Sequence, residues 1–331
     1  MLQTLRRYLP DGFVLALLAT VALASLLPCR GLAATGFGWL TIAAIALLFF
    51  MHGVRLSRDA IVAGLGHWRL HLVILASTFL LFPLLGLALA KLLPGLLPGP
   101  LWLGVLFVCA LPSTVQSSIA FTSIAKGNVP AAIGAATASN LLGVILTPVI
   151  VSLLIRLHGG GSSLAEIWKV VLQLLAPFAA GHLLRPWLGG WAERNRRLVT
   201  FSDRGSILLA VYTSFSGAVV QGVWRQLPAE RFLVLTAVLA VILAIVLLAT
   251  TWASRLLGFS RADEIAIVFC GSKKSLASGV PMANVLFAGS AIGVTGGLAI
   301  LPLMIFHQMQ LMVCAALARR YAAQAAEFPA E

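Results

Sequence analysis

Two adjacent lysines, Lys273 and Lys274, stand in the stretch VFCGSKKSLASGVP at residues 268–281, with apolar runs on either side. A charged side chain in the middle of a membrane helix costs about 2.5–3.5 kcal/mol or more, so such groups mark ion paths, proton relays and ligand counter-ions. Gly271, Ser272 and Ser275 flank the lysines. A second polar block, PSTVQSS, supplies Pro112, Ser113, Thr114, Gln116, Ser117 and Ser118, and the segment GAATASNLLG adds Thr137, Ser139 and Asn140. Hydroxyls, amides and freed backbone carbonyls around an ammonium can hold a small ion and its organic counter-ion. A serine beside a lysine is also a nucleophile–base pair, for which Ser113, Ser117, Ser272 and Ser275 are available. The chain has no G-x-S-x-G nucleophile elbow, and the ion-binding reading uses more of these residues than the hydrolase reading does.

The elements that position them must lie in a bilayer. Residues are 60% hydrophobic and 10% charged, and the mean hydropathy is +1.01, which places the chain among polytopic membrane proteins. A hydrocarbon core needs roughly 20 apolar residues per helix. Ten segments qualify, near 12–28, 37–54, 70–93, 101–125, 129–155, 166–188, 205–223, 230–257, 263–287 and 293–318. The first follows Arg6 and Arg7 without a convincing cleavage site and reads as a retained helix. With ten spans, fifteen of the 23 Lys and Arg residues fall on the side of the termini and six on the other, the two central lysines making up the rest. That asymmetry predicts both termini in the cytoplasm of a bacterial-type inner membrane. The net charge of +13 is spread over short loops, so it suits lipid headgroups and not nucleic acid.

Spans four and nine are interrupted, by Pro112 and by Gly271, and lie five apart; spans five and ten each carry a late proline, Pro148 and Pro302. Five spans per half is an odd number, so a second copy must enter the membrane from the opposite face. The expected organisation is a first five-helix repeat over 1–157, a linker at 158–163 (HGGGSS) and an inverted second repeat over 164–331. Paired broken helices in inverted repeats point to a transporter site near the midplane, because freed backbone groups there must face protein or water.

The stretch from 112 to 148, with its proline-led polar break, AKGNV, TASN and LTP, together with FCGSKKSL and GVPM further on, resembles the bile acid:sodium symporter superfamily. The likeness is to a divergent branch that holds bacterial bile-acid-symporter-like proteins and the seventh mammalian member of solute carrier family 10. It implies an all-α membrane protein of ten transmembrane helices, with panel and core domains and with helices 4 and 9 crossing at their breaks. By position it places Ser117 and Ser118 on first-crossing sodium ligands and Asn140 at or beside the span-five ligand. Phe269 then falls where an acidic ligand would be, and Lys273 and Lys274 where an amide pair would be.

That departure argues against sodium. The nearest carboxylates on span nine are Asp263 and Glu264, and Glu264 lies six residues before Cys270, roughly 9 Å along a helix. A sodium ion 4 Å from an ammonium is repelled by about 4 kcal/mol. The expectation is that the ammonium of Lys273 or Lys274 takes the ion's place, held by Gln116, Ser117, Ser118, Asn140 and freed carbonyls. A lysine that sheds and regains its proton couples transport to protons, and the second lysine meets a small organic anion. Alternatives are a sodium-coupled symporter of the same fold and a non-transporting regulator of ion homeostasis. No cofactor or metal centre is expected: Cys29, Cys109, Cys270 and Cys314 are scattered, and the His67–His71 pair beside Trp68 suits a membrane interface.

Overall fold

The computed structural model describes residues 12–55, 67–157, 164–220, 222, 228–287 and 296–327. The expected linker 158–163, and Arg6, Arg7, Arg58 and Arg225 of the charge pattern, lie outside the described residues.

All described secondary structure is helical. The chain runs α1 (Gly12–Leu26), α2 (Gly31–Arg55), α3 (Trp68–Leu92), α4 (Gly99–Ala110), α5 (Gln116–Ile124), α6 (Val129–Leu157) and α7 (Leu164–Leu183). It continues with α8 (Arg185–Arg194), α9 (Arg196–Val220), α10 (Ala229–Leu256), α11 (Arg261–Gly271), α12 (Leu276–Leu286) and α13 (Gly296–Glu327). Helices α2, α3, α6, α10 and α13 are long and apolar enough to cross a membrane. Shorter apolar helices cover Leu15–Leu26, Gly99–Ala110 and Leu172–Leu183. Each of the ten expected segments contains described helix; the fourth and ninth split, into α4 with α5 and α11 with α12, and the sixth runs past the end of α7 into α8.

The splits follow from local chemistry. Leu111 is extended, at φ −70° and ψ 153°, because the proline after it disfavours the helical region. Past Gly271 the chain leaves the helix, and Ser275 restarts it by accepting a hydrogen bond from the Ser278 amide. Ser260 caps α11 in the same way through the Asp263 amide. Helix α3 carries a π turn at Ser77–Leu81, in which the Phe82 amide bonds to the Ser77 carbonyl, one residue further back than in an α-helix.

Helices α1, α2, α7, α8 and α9 pack on one another, and α3–α6 pack with α10–α13; α7 and α9 also touch the second group. Within the first group, a Cβ on Gly53 would collide with the Phe178 carbonyl and one on Gly181 with the Phe50 carbonyl, so α2 and α7 approach with backbones almost touching, as small residues allow in membranes. The outside is apolar: Leu32, Trp39, Leu248 and Trp252 are all exposed. An apolar surface of this kind suits lipid and would be a liability in water.

Candidate functional site

The two chain breaks interlock. The Ser275 amide donates to the Pro112 carbonyl at 2.9 Å. The Ser113 hydroxyl donates to the Cys270 carbonyl at 2.6 Å and the Ser118 hydroxyl to the Phe269 carbonyl at 2.9 Å. Helix α3 adds the Ser77 hydroxyl, which donates to the Gly271 carbonyl at 2.9 Å. The last carbonyls of α11, which have no partner within their own helix, are thus satisfied by hydroxyls from elsewhere, as burial requires. Helix α6 does the same for the first break. Ser139 accepts from the Ser113 amide at 3.0 Å, Asn140 donates to the Ser113 carbonyl at 2.7 Å, and Thr147 donates to the Ala110 carbonyl at 2.9 Å. The Asn140 carbonyl oxygen then accepts from the Ser278 hydroxyl of α12 at 2.8 Å. One asparagine therefore ties both breaks to α6.

Lys274 sits at the middle of this network, fully buried. Its ammonium donates to the carbonyls of Thr78, Cys109 and Leu111, each at 2.8 Å. An ammonium has three protons, so every one has an acceptor. The Phe82 ring covers it, with the centroid 4.0 Å away. Each carbonyl is free for a stated reason. Cys109 and Leu111 lie at the frayed C-terminal end of α4, where carbonyls have no helical partner and the helix dipole is negative. Thr78 lies in the π turn, whose register aims its carbonyl at residue 83. That residue is Pro83 and has no N–H to give.

Lys273 is also fully buried but differently held. Its ammonium donates to the Ser117 carbonyl at 3.0 Å and faces two rings, Phe121 at 4.1 Å and Phe269 at 5.0 Å. Among the described residues neither lysine has a carboxylate partner. Glu264 is engaged by Arg255 and Arg261 and accepts from the Tyr321 hydroxyl, while Asp263 accepts from Asn128 and Ser260.

The sequence profile of the SBF-like CPA transporter family matches residues 11–323. The chain belongs to that family. A relative in Pseudomonas aeruginosa PAO1, "Uncharacterized protein PA2026", is 59% identical over 96% of this chain and 94% of its own length. "Putative symporter YfeH" of Escherichia coli K12 is 54% identical over 97% of this chain and 96% of its own. "Sodium/bile acid cotransporter 7" of Mus musculus is 30% identical over 82% and 79%. The SBF-like chain is therefore a multi-pass membrane protein of a transporter family, not an enzyme. Among the described residues neither lysine ammonium hydrogen-bonds to a serine hydroxyl, which leaves the serine–lysine hydrolase reading without its pair.

In this SBF-like chain most of the expected site residues converge, with differences of detail. Pro112, Ser113, Thr114, Ser118, Ser139, Gly271, Ser272, Lys273, Lys274 and Ser275 are buried together at the two breaks. Thr114 shares hydrogen bonds with Ser117 and Ser118 at 2.7 and 3.0 Å, and Ser272 turns back on the Val268 carbonyl at 2.6 Å. Gln116 was expected to hold an ammonium, but its side chain is exposed, being on the outer face of the first turn of α5. Thr137 is half-buried, and no side-chain hydrogen bond joins it to another described residue. The ammonium ions rest on backbone carbonyls, which were among the expected holders; of the side chains expected beside them, the Ser118 hydroxyl and the Asn140 amide brace the backbone instead and the Ser117 hydroxyl bonds that of Thr114. Phe269 faces Lys273 with its ring, in the position the resemblance assigns to an acid.

Sequence reasoning passed over Thr78, Ser77, Ser278 and Gln310. Gln310 is fully buried on α13, accepts from the Lys274 amide at 2.8 Å and donates to the Lys274 carbonyl at 2.9 Å. A glutamine in the apolar run IFHQMQLMV is the one signal that pointed to it.

Proposed function

We propose that the protein is a secondary active transporter that moves a small organic anion by alternating access, with a tethered ammonium in the place of a mobile metal cation. The observation that carries this reading is Lys274 Nζ at 2.8 Å from three carbonyl oxygens. Oxygen ligands converging on one positive charge are what a bound alkali cation would require, and here the charge is covalently attached. The symporter names of its relatives are consistent with transport and bring the solute class into view. Lys273 and Lys274 are the chemistry that an anion would seek. In this proposal one lysine sheds and regains its proton during the cycle, which couples transport to protons.

In the same proposal the chain forms two inverted repeats over 1–157 and 164–331. The packed groups α1, α2, α7–α9 and α3–α6, α10–α13 serve as panel and core, and ten crossings put both termini in the cytoplasm of the inner membrane. The core would move against the panel, carrying the breaks between the two faces as inverted-repeat transporters do.

The test is uptake into proteoliposomes from a panel of radiolabelled carboxylates and sulfonates under an imposed pH gradient, with and without sodium. The expected result is proton-driven uptake that needs no sodium and is lost in Lys273→Gln or Lys274→Gln. Uptake that requires sodium would favour the sodium-coupled alternative. Absence of flux across the panel in protein shown to be folded would favour a regulator.

A further inference from the structure

The two lysines, adjacent in sequence, have opposite surroundings. We infer that they divide the work: Lys274 is a permanently seated cation that locks the two breaks to α3, and Lys273 is the exchangeable cation that pairs with the anionic group of the solute. This rests on the transporter reading above for the identity of the anion, and on geometry alone for the division.

Lys274 has nothing left to give. All three protons have carbonyl acceptors at 2.8 Å, and its backbone amide and carbonyl are both bound to Gln310. Its movement would strand three carbonyls and two halves of an amide inside the protein, each at a desolvation cost. Its acceptors come from α3 and from the C-terminal end of α4 just before the first break, so its side chain ties the second break to both.

Lys273 is held by one carbonyl at 3.0 Å and two ring faces. A ring face attracts a cation only through its quadrupole. A carboxylate, sulfonate or phosphate oxygen offers a charge-assisted hydrogen bond roughly twice as strong as a neutral one. Two protons of Lys273 therefore gain by leaving the rings for an anion. The way out also differs. Ser117, which supplies the carbonyl, and Phe121 are both only partly buried. On the same short helix Gln116, Ala120 and Ser123 are exposed. The neighbours of Lys274 on its side, Thr78, Phe82 and Cys109, are all fully buried.

The test uses the full-length native protein in lipid nanodiscs, treated with the amine-reactive anion trinitrobenzenesulfonate. Peptide mass spectrometry locates the modified lysines, with exposed Lys126 as the internal positive control. Lys273 is expected to react more than about tenfold faster than Lys274, as a site that opens locally without global unfolding. Potassium benzoate or potassium octanesulfonate is expected to slow Lys273 relative to the same concentration of potassium chloride, leaving Lys126 unchanged. Equal or faster reaction at Lys274 overturns the division, and so does failure of both lysines to react while Lys126 does. If Lys273 reacts but neither organic anion protects it, Lys273 is exchangeable but does not take an organic anion, and its assignment as the anion partner is overturned. Uptake assays are separate from this readout: loss of transport in the liposome experiment would sink the transporter reading while leaving the labelling ratio standing.

Discussion

The side-chain amide of Gln310 closes a two-point clamp on the backbone of Lys274, accepting from its N–H at 2.8 Å and donating to its carbonyl at 2.9 Å. The clamp fixes the non-helical segment between α11 and α12 against α13, and so fixes where the Lys274 side chain begins. His307, one helical turn earlier on α13, lies 2.9 Å from the same amide nitrogen and holds the amide's orientation.

Replacing Gln310 with Leu keeps the volume but strands a buried N–H and a buried carbonyl. Each unsatisfied group costs about 1–3 kcal/mol. The expected outcome for Gln310→Leu is a melting temperature several degrees lower in detergent and faster trinitrobenzenesulfonate modification of Lys274. An unchanged melt would mean that the clamp contributes nothing to stability.

Pro83 is predicted to act from a distance by withholding a hydrogen. In Pro83→Ala, residue 83 gains an N–H in the register that reaches the Thr78 carbonyl, competing with Lys274 for one of its three acceptors. Modification of Lys274 should rise by roughly threefold or more as its cage loosens, since about 0.7 kcal/mol suffices for that factor. Identical reactivity in the variant and the native protein would show that the π turn alone frees the carbonyl.

Ser113 and Ser118 each satisfy a carbonyl at the end of α11 from across the break. Ser113→Ala and Ser118→Ala should each destabilise by about 1–3 kcal/mol. Because both hydroxyls tie α11 to the first break, the double variant should fall short of the sum of the singles. Thermal unfolding of all three variants measures this, and strict additivity would argue that the two bonds act independently.

How much of this was legible in the sequence depends on what each residue signals locally. Apolar runs marked where the helices lie, because the bilayer leaves a helix few other choices, but not all of their ends: α9 begins at Arg196 and α13 ends at Glu327, each nine residues beyond the apolar run. Pro112 and Gly271 marked the breaks, since a missing N–H and a missing Cβ act on the backbone wherever they stand. That Asn140 faces the interior was readable from a single amide in a run of small residues; its place beside the breaks came from the family resemblance. That freed carbonyls would hold an ammonium was readable, but which carbonyls was not. Backbone carbonyls have no sequence identity, and Thr78 became available through a π turn whose only trace is Pro83 in STFLLFPLL. Gln116 misled because a polar residue in a polar block was read as inward. The first turn of α5 places Ser118 inward and turns Gln116 outward. Gln310 was passed over because nothing in IFHQMQLMV separates it from Gln308 or tells which loop it meets.

The central claim is that the Lys274 ammonium occupies a site that would otherwise hold a mobile cation. The most direct measurement is the melting temperature of native protein and of Lys274→Ala in N-methylglucamine chloride, titrated with sodium chloride or ethylammonium chloride. Truncating the side chain leaves the three carbonyls of Thr78, Cys109 and Leu111 facing an empty space. A cation that binds there at 100 times its Kd stabilises by about 2.7 kcal/mol. The account predicts a native protein indifferent to sodium and a Lys274→Ala variant that either cation stabilises by several degrees. Stabilisation of the native protein by sodium, or a variant that responds to neither cation, would contradict it.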